Sequence, residues 1–240
     1  MREDERRKLM TTKQHQTAYV CRCRFSRTGA TSFIGHLDLK TVFERAVRRA
    51  GLSMLYSQGF NPRPMLVFAL PLGVGIDTRA DYVDISMAVP QDPEEFRDKV
   101  NEELPDGLRI ESCVTIDEPK RSLMSVVTTA CYTLEAPEIS QKLINLFKME
   151  TVEIEKKSKG KIKTADIRPL MIKPVEAISP DLIEVMVYAG SVKNLRPDVL
   201  LSALVRYEGL SQDAAADCVV TRTGLFGGEY PDIEEIEGLV

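Results

Sequence analysis

Histidine occurs twice in this chain, at His15 and His36, and the common catalytic and cofactor signatures are missing altogether. There is no Walker loop to cradle a nucleotide phosphate, no HExxH and no GxSxG. The CxxxCxxC iron–sulfur signature is also absent. LPLGVGID contains G-x-G, but with no third glycine and no βαβ setting it is not a dinucleotide fingerprint. No trio of metal ligands stands out, so no metal site is expected. The five cysteines form no CxxC, and their odd number argues for reduced thiols. Cys21 and Cys23 are two apart in a strand-like segment and share a face, where they read as small buried hydrophobes. The longest apolar runs, such as VFALPLGVGI, are broken by proline and glycine and are too short to span a bilayer. The first fifteen residues are charged and lack an apolar core, so no signal peptide is read there and a cytoplasmic protein is expected.

What is present is an ordinary globular composition, 43% hydrophobic and 28% charged over 240 residues, with a net charge of −4. The distribution of charge says more than its sum. Between Arg22 and Pro64 eight basic residues face only Asp38 and Glu44, and between Lys156 and Lys173 seven face only Asp166. The end of the chain, GGEYPDIEEIEGLV, is acidic and expected to be mobile.

The order of elements repeats. TAYVCRCRFSRTG alternates, with Cys21, Cys23 and Phe25 inward and Arg22 and Arg24 outward. FIGHLDLKTVFERAVRRAG follows at the helical period and stops at Gly51. LSMLYS, PMLVFAL and ADYVDISMAV read as strands. DPEEFRDKVNEELPDG reads as a helix capped by Asp92 with Pro93 at its first position, and LRIESCVTID as a strand. A second strand–helix–strand–helix–strand series runs from TTACYTLEA to DCVVTRTGLF, with a lysine-rich hairpin inserted. The expected fold is α+β: two tandem ferredoxin-like (βαββαβ) domains with antiparallel sheets. Their bounds are 17–118 and 128–226, with a flexible tail at 1–16 and an acidic one at 227–240.

Three motifs carry candidate chemistry. In SQGFNPRP, Pro62 and Pro64 remove amide donors and fix the backbone around Arg63, while Asn61 is held extended. A guanidinium preorganised in this way suits a phosphate; the alternative is a rigid connecting loop. In GHLD, His36 near a helix start can donate to a phosphate or shuttle a proton, or else serve only in packing. Arg45 and Arg49 lie one helical turn apart, either facing an anion or simply solvated. Lys157, Lys159, Lys161 and Lys163 alternate, which puts them on one side of a strand or hairpin. Such a row contacts nucleic-acid backbone or guards a sheet edge. Arg168, in DIRP, closes that segment.

These motifs together, GHLD at 35–38, ERAVRRAG, SQGFNPRP at 57–64, PLGVG at 71–75, DIRP at 166–169 and LRPDVLL at 195–201, resemble a conserved bacterial family of unknown function, the radical-SAM-linked (radical-SAM-associated) proteins. The similarity covers about residues 18 to 225. Gly35 stands where the family's more usual motif has serine. The resemblance implies a radical-SAM protein as partner, encoded beside this chain or fused to it. The iron–sulfur cluster and S-adenosylmethionine would then belong to that partner, with no cofactor in this chain. It also implies a setting of RNA processing or translation, which makes RNA a second candidate partner.

The leading expectation is a non-catalytic companion that binds or presents RNA through His36, Arg45, Arg49, Asn61 and Arg63 on one face and Lys159, Lys161, Lys163 and Arg168 on another. The rivals are a metal-independent ribonuclease using His36, and a protein-binding adaptor that docks through the acidic tail or the Phe60 loop.

Overall fold

A computed structural model describes residues 19–117, 121–158 and 161–236, without the side chains of 156–158, 161–163 and 174–175. It is an α+β structure with one large, mostly antiparallel sheet and six helices among the described residues. The first half runs β1 (Tyr19–Arg27), α1 (His36–Arg49), β2 (Leu66–Phe68), β3 (Asp77–Met87), α2 (Pro93–Asn101) and β4 (Leu108–Asp117). In space its strands lie in the order β4-β1-β3, with β2 on the far side of β3, and every pairing is antiparallel. After a short α3 (Leu123–Val126), the second half runs β5 (Thr129–Glu135), α4 (Ile139–Lys148), β6 (Glu153–Ser158), β7 (Lys161–Asp166), β8 (Met171–Ser179) and β9 (Leu182–Tyr188). It ends with α5 (Pro197–Glu208), α6 (Gln212–Ala216), β10 (Val219–Glu229) and β11 (Asp232–Glu235). Here the order is β10-β5-β9-β8, with β6 and β7 forming a separate hairpin. Each half therefore places its last, first, third and second main strands side by side.

The halves do not keep separate sheets. Thr221 pairs with Asp77 and Arg222 with Thr78 in a short parallel contact between β10 and β3. Joining these edges satisfies backbone groups that two isolated sheets would leave open. Beyond that contact β3 turns its edge to β2, and β10 turns its edge to β11.

Apolar periodicity explains the helices. α1 sends Leu39, Phe43, Ala46 and Val47 into the first core, where Phe43 and Phe25 meet edge to face with ring centroids 5.1 Å apart. Asp92 caps α2 by accepting from the Glu95 amide at 2.9 Å, as its position before Pro93 predicts. α4 and α5 bury Leu143, Leu146, Leu200 and Leu204 in the second core.

Two expectations are corrected. Arg22, expected on a solvent face of β1, is 1% exposed. Its guanidinium donates to both Asp84 carboxylate oxygens, at 2.8 and 3.0 Å, and to the Ile236 carbonyl at 3.1 Å. The acidic segment from 227, expected to be mobile, is folded as far as Ile236: β11 pairs with β10, and Ile236 is fully buried. The two corrections have one cause, since the end of the described chain reaches the face of β1 that alternation alone assigns to water. Residues 1–16 and 237–240 lie outside the described residues. LSMLYS is also less regular than expected, with isolated bridges at Met54 and Tyr56 in place of a strand.

Candidate functional site

Arg27, at the end of β1, joins two of the motif segments of the first half. It is buried and donates to the carbonyls of Ile34, Gly73 and Ile76, each at 3.1 Å. One side chain thus ties the approach to α1 to the PLGVG loop. Burial lowers its pKa from the ordinary guanidinium value; Asp81 opposes that shift, the Arg222 cation adds to it, and Asp77 opposes it. The Gly75 amide donates to the Ser32 carbonyl at 2.9 Å, and a Cβ on Gly75 would stand 3.6 Å from the Phe33 ring. Gly75 has φ +82, which a side chain rarely tolerates.

On this frame the outward groups are apolar. Phe33 is 70% exposed, Leu37 77% and Val74 61%. His36 begins α1, is exposed, and meets the Phe68 ring edge to face at 5.2 Å. Among the described residues no carboxylate bonds to it. Asp38, in the first turn, points back toward Gly35, where a Cβ would lie 3.6 Å from its Oδ2.

The SQGFNPRP loop is a closed excursion between bridged residues Tyr56 and Pro64. The Ser57 amide donates to the Arg63 carbonyl at 2.8 Å, and the Arg63 amide to Ser57 Oγ at 3.0 Å. Gly59 takes φ +128, and Phe60 stands fully exposed at the tip. Asn61 and the Arg63 guanidinium are exposed, with no side-chain partner among the described residues. Tyr56, Met65 and Val67 add further exposed apolar area along the segments leading into and out of the loop.

The structure separates the other expected site residues. Arg45 and Arg49 follow His36 by nine and thirteen residues on α1, or about 14 and 20 Å along the axis. Arg45 is exposed. Arg49 is engaged by Glu103: its Nε donates to Oε2 at 2.7 Å and its Nη2 to the backbone carbonyl. Arg168 is also taken up, donating to the Met149 and Met171 carbonyls at 2.9 Å with its guanidinium 6.0 Å from the centre of the Phe147 ring. Lys159 lies outside the described residues. Lys161 and Lys163 are described in backbone only, on β7 opposite Ser158 and Lys156.

Charge counting along the sequence did not single out Arg222. It is fully buried, its Nη2 donates to Asp81 Oδ2 and to the Leu70 carbonyl, and its own carbonyl accepts from Thr78 Oγ1. Burial alone would lower its pKa, but Asp81 and Tyr132 outweigh that and leave it raised. Above this pair a cleft of about 240 Å³ opens between the PLGVG loop and the start of α5, lined by Leu72, Val74, Tyr132, Asn194, Arg196 and Pro197. Arg222 and Asp81 are 141 residues apart, so nothing local announces this partnership; the pairing of β3 with β10 creates it.

The segments that build this surface fall within one family match. A family model described as "Uncharacterized protein conserved in bacteria (DUF2344)" matches residues 21–197. The chain belongs to this family. The matched span takes in Arg27, the GHLD and PLGVG segments, the Phe60 loop and the start of α5. No curated protein matches the chain. Among the described residues, no helix is long and apolar enough to cross a membrane, and no group of three or more histidine, cysteine or acidic side chains is placed to hold a metal.

Proposed function

We propose that this member of the family is a non-catalytic binding protein of the cytoplasm, and that it docks a radical-SAM enzyme through the surface around Phe33, Leu37, Phe60 and Val74. The observation that carries the reading is the exposure of these apolar side chains, with Phe33, Leu37 and Val74 on or beside segments pinned by Arg27 and Phe60 at the tip of a loop closed by the Ser57–Arg63 bonds. Soluble chains rarely present aromatic and aliphatic groups in this way unless a partner covers them. The choice of partner rests on the motif resemblance. The cluster and S-adenosylmethionine belong to that partner in this reading. Each half is taken as a ferredoxin-like domain, a reading supported by the shared strand order, with the two joined into one sheet by the β3–β10 contact.

RNA binding is the second reading. It is favoured by the exposed guanidinium groups of Arg45 and Arg63, which have no partner among the described residues, and by the lysines at 159, 161 and 163. Arg49 and Arg168 support it less, because carbonyls and Glu103 already hold them. For a ribonuclease using His36, no acid or base among the described residues bonds to the ring to orient it.

The test is affinity for the radical-SAM protein that the motif resemblance implies as partner, measured by calorimetry for wild type, Phe60→Asp and Arg63→Ala. Docking through the apolar surface predicts a loss of at least about tenfold in Phe60→Asp with an unchanged melting temperature. Equal affinity in Phe60→Asp, or no binding by wild type, sinks the proposal. A salt-steep affinity for RNA that falls in Arg63→Ala would move the function to the second reading.

A further inference from the structure

Three thiols of the first half meet on one face of its sheet. Cys21 and Cys23 are two apart on β1, and Cys113 stands directly opposite Cys23 on β4. The Cys23 and Cys113 sulfurs are 3.6 Å apart, and the Cys21 thiol is also within hydrogen-bonding reach of Cys113. Residues directly opposed in an antiparallel pair have Cα atoms about 4.5–5.5 Å apart, inside the range of about 4.4–6.8 Å that a disulfide accepts. Only the sulfurs need to close, to about 2.05 Å. β4 is the outermost strand among the described residues, with β1 as its one neighbour there, so it can yield.

The three are not equally open to attack. Cys21 and Cys23 are fully buried, while Cys113 is half-buried. The hydrogen bond with Cys113, then burial, pushes the Cys21 thiol up; burial pushes Cys23 up against the opposing Cys113 bond. Both stay protonated. Cys113, half-buried on the outermost strand, is the one of the three that a solvent-borne oxidant reaches first.

We propose that Cys113 is an oxidation site, and that its oxidised form condenses with Cys23 into a disulfide joining β1 to β4. The oxidant is a hydroperoxide. The Cys113 thiolate attacks the terminal peroxide oxygen, so an S–O bond forms as the O–O bond breaks, and the leaving oxygen departs protonated as water or alcohol. Cys113 sulfur is oxidised by two electrons to a sulfenic acid. Cys23 sulfur then attacks it, the S–S bond forms, and the hydroxyl leaves as water with the Cys23 proton. Cys21, beside Cys113, is the alternative attacking thiol. A cross-strand bridge closed in this way is accessible to thiol reductants from the edge of the sheet.

The experiment treats the full chain with hydrogen peroxide, alkylates the remaining thiols, and maps peptides by mass spectrometry without reductant. The expected product is a linked pair carrying Cys23 and Cys113, two hydrogens lighter than the separate peptides, with Cys131 and Cys218 alkylated and the link undone by dithiothreitol. Recovery of Cys113 as a free thiol or a sulfinic acid, with no link, overturns the proposal. In Cys23→Ala the link moves to Cys21–Cys113, and its absence there removes the role given to Cys21. The wild-type map decides the main claim even if the variant does not fold.

Discussion

Among the described residues three arginines carry their charge in the interior, each with a different arrangement. Arg22 has a carboxylate and a carbonyl, Arg27 has three carbonyls, and Arg222 has Asp81 with the Leu70 carbonyl. Removing one member of a buried pair leaves the other charged and unpaired, at about 3–5 kcal/mol. Asp84→Ala is therefore expected to lose that much in urea unfolding, while the double change Arg22→Met with Asp84→Leu returns most of it. Equal losses in both proteins would show that the pair matters only as packing. A second residue-scale expectation concerns alkali. Burial, with Glu184 adding and Lys173 opposing, pushes the Cys131 thiol from 9.0 up to about 12. The folded chain then holds this proton more tightly than the unfolded one, so the stabilisation is complete below pH 9 and is lost as pH rises towards 12. Wild type should lose stability more steeply across that range than Cys131→Ala, and parallel slopes would remove the assignment. At this scale alternation in the sequence was read correctly for Cys21, Cys23 and Phe25. It failed for Arg22, because period two says which face a side chain takes but not what covers that face.

Elements with a strong period and a capping residue were legible: α1, α2, α4 and α5 lie where their apolar spacing and their Asp92, Pro93 and Pro197 signals put them. β8 was not. Pro174 interrupts it and its register with β9 shifts at three places, so no clean alternation survives in the sequence. The lysine hairpin was anticipated as an excursion, and its base shows how it is held. Val152, Ile154 and Ile167 are buried, and the Tyr207 hydroxyl both donates to the Glu153 carbonyl at 2.9 Å and accepts from the Glu153 amide at 3.0 Å. Replacing residues 156–163 with Asn-Gly keeps that base and supplies a two-residue turn. The expected change in unfolding free energy is within about 0.5 kcal/mol, as for surface changes away from such anchors. Any RNA affinity carried by Lys159, Lys161 and Lys163 would vanish with the hairpin. A large stability loss would mean that the tip itself packs.

At the scale of the whole molecule, two similar halves are locked by long-range contacts that no local pattern announces. The candidate surface was partly legible for the same reason: the stiffness of SQGFNPRP and PLGVG is written in their prolines and glycines. The attachment of PLGVG through Arg27, and the cleft beside α5, depend on partners 46 or more residues away. Deleting residues 232–240 removes β11, the buried Ile236 and the carbonyl that Arg22 uses. The shortened chain is expected to melt several degrees lower and to expose Arg22 to solvent exchange, and an unchanged melting temperature would return this segment to the status of a tail.

Arg22 and Ile236 are 214 residues apart in sequence. A ribosome adding about 5–20 residues per second needs roughly 10–40 s to cover that distance. For that interval the first strand emerges with a guanidinium whose last acceptor does not yet exist. The chain ending at residue 231 is a stand-in for this unfinished state, and its stability measures how far the first half can settle before the second arrives.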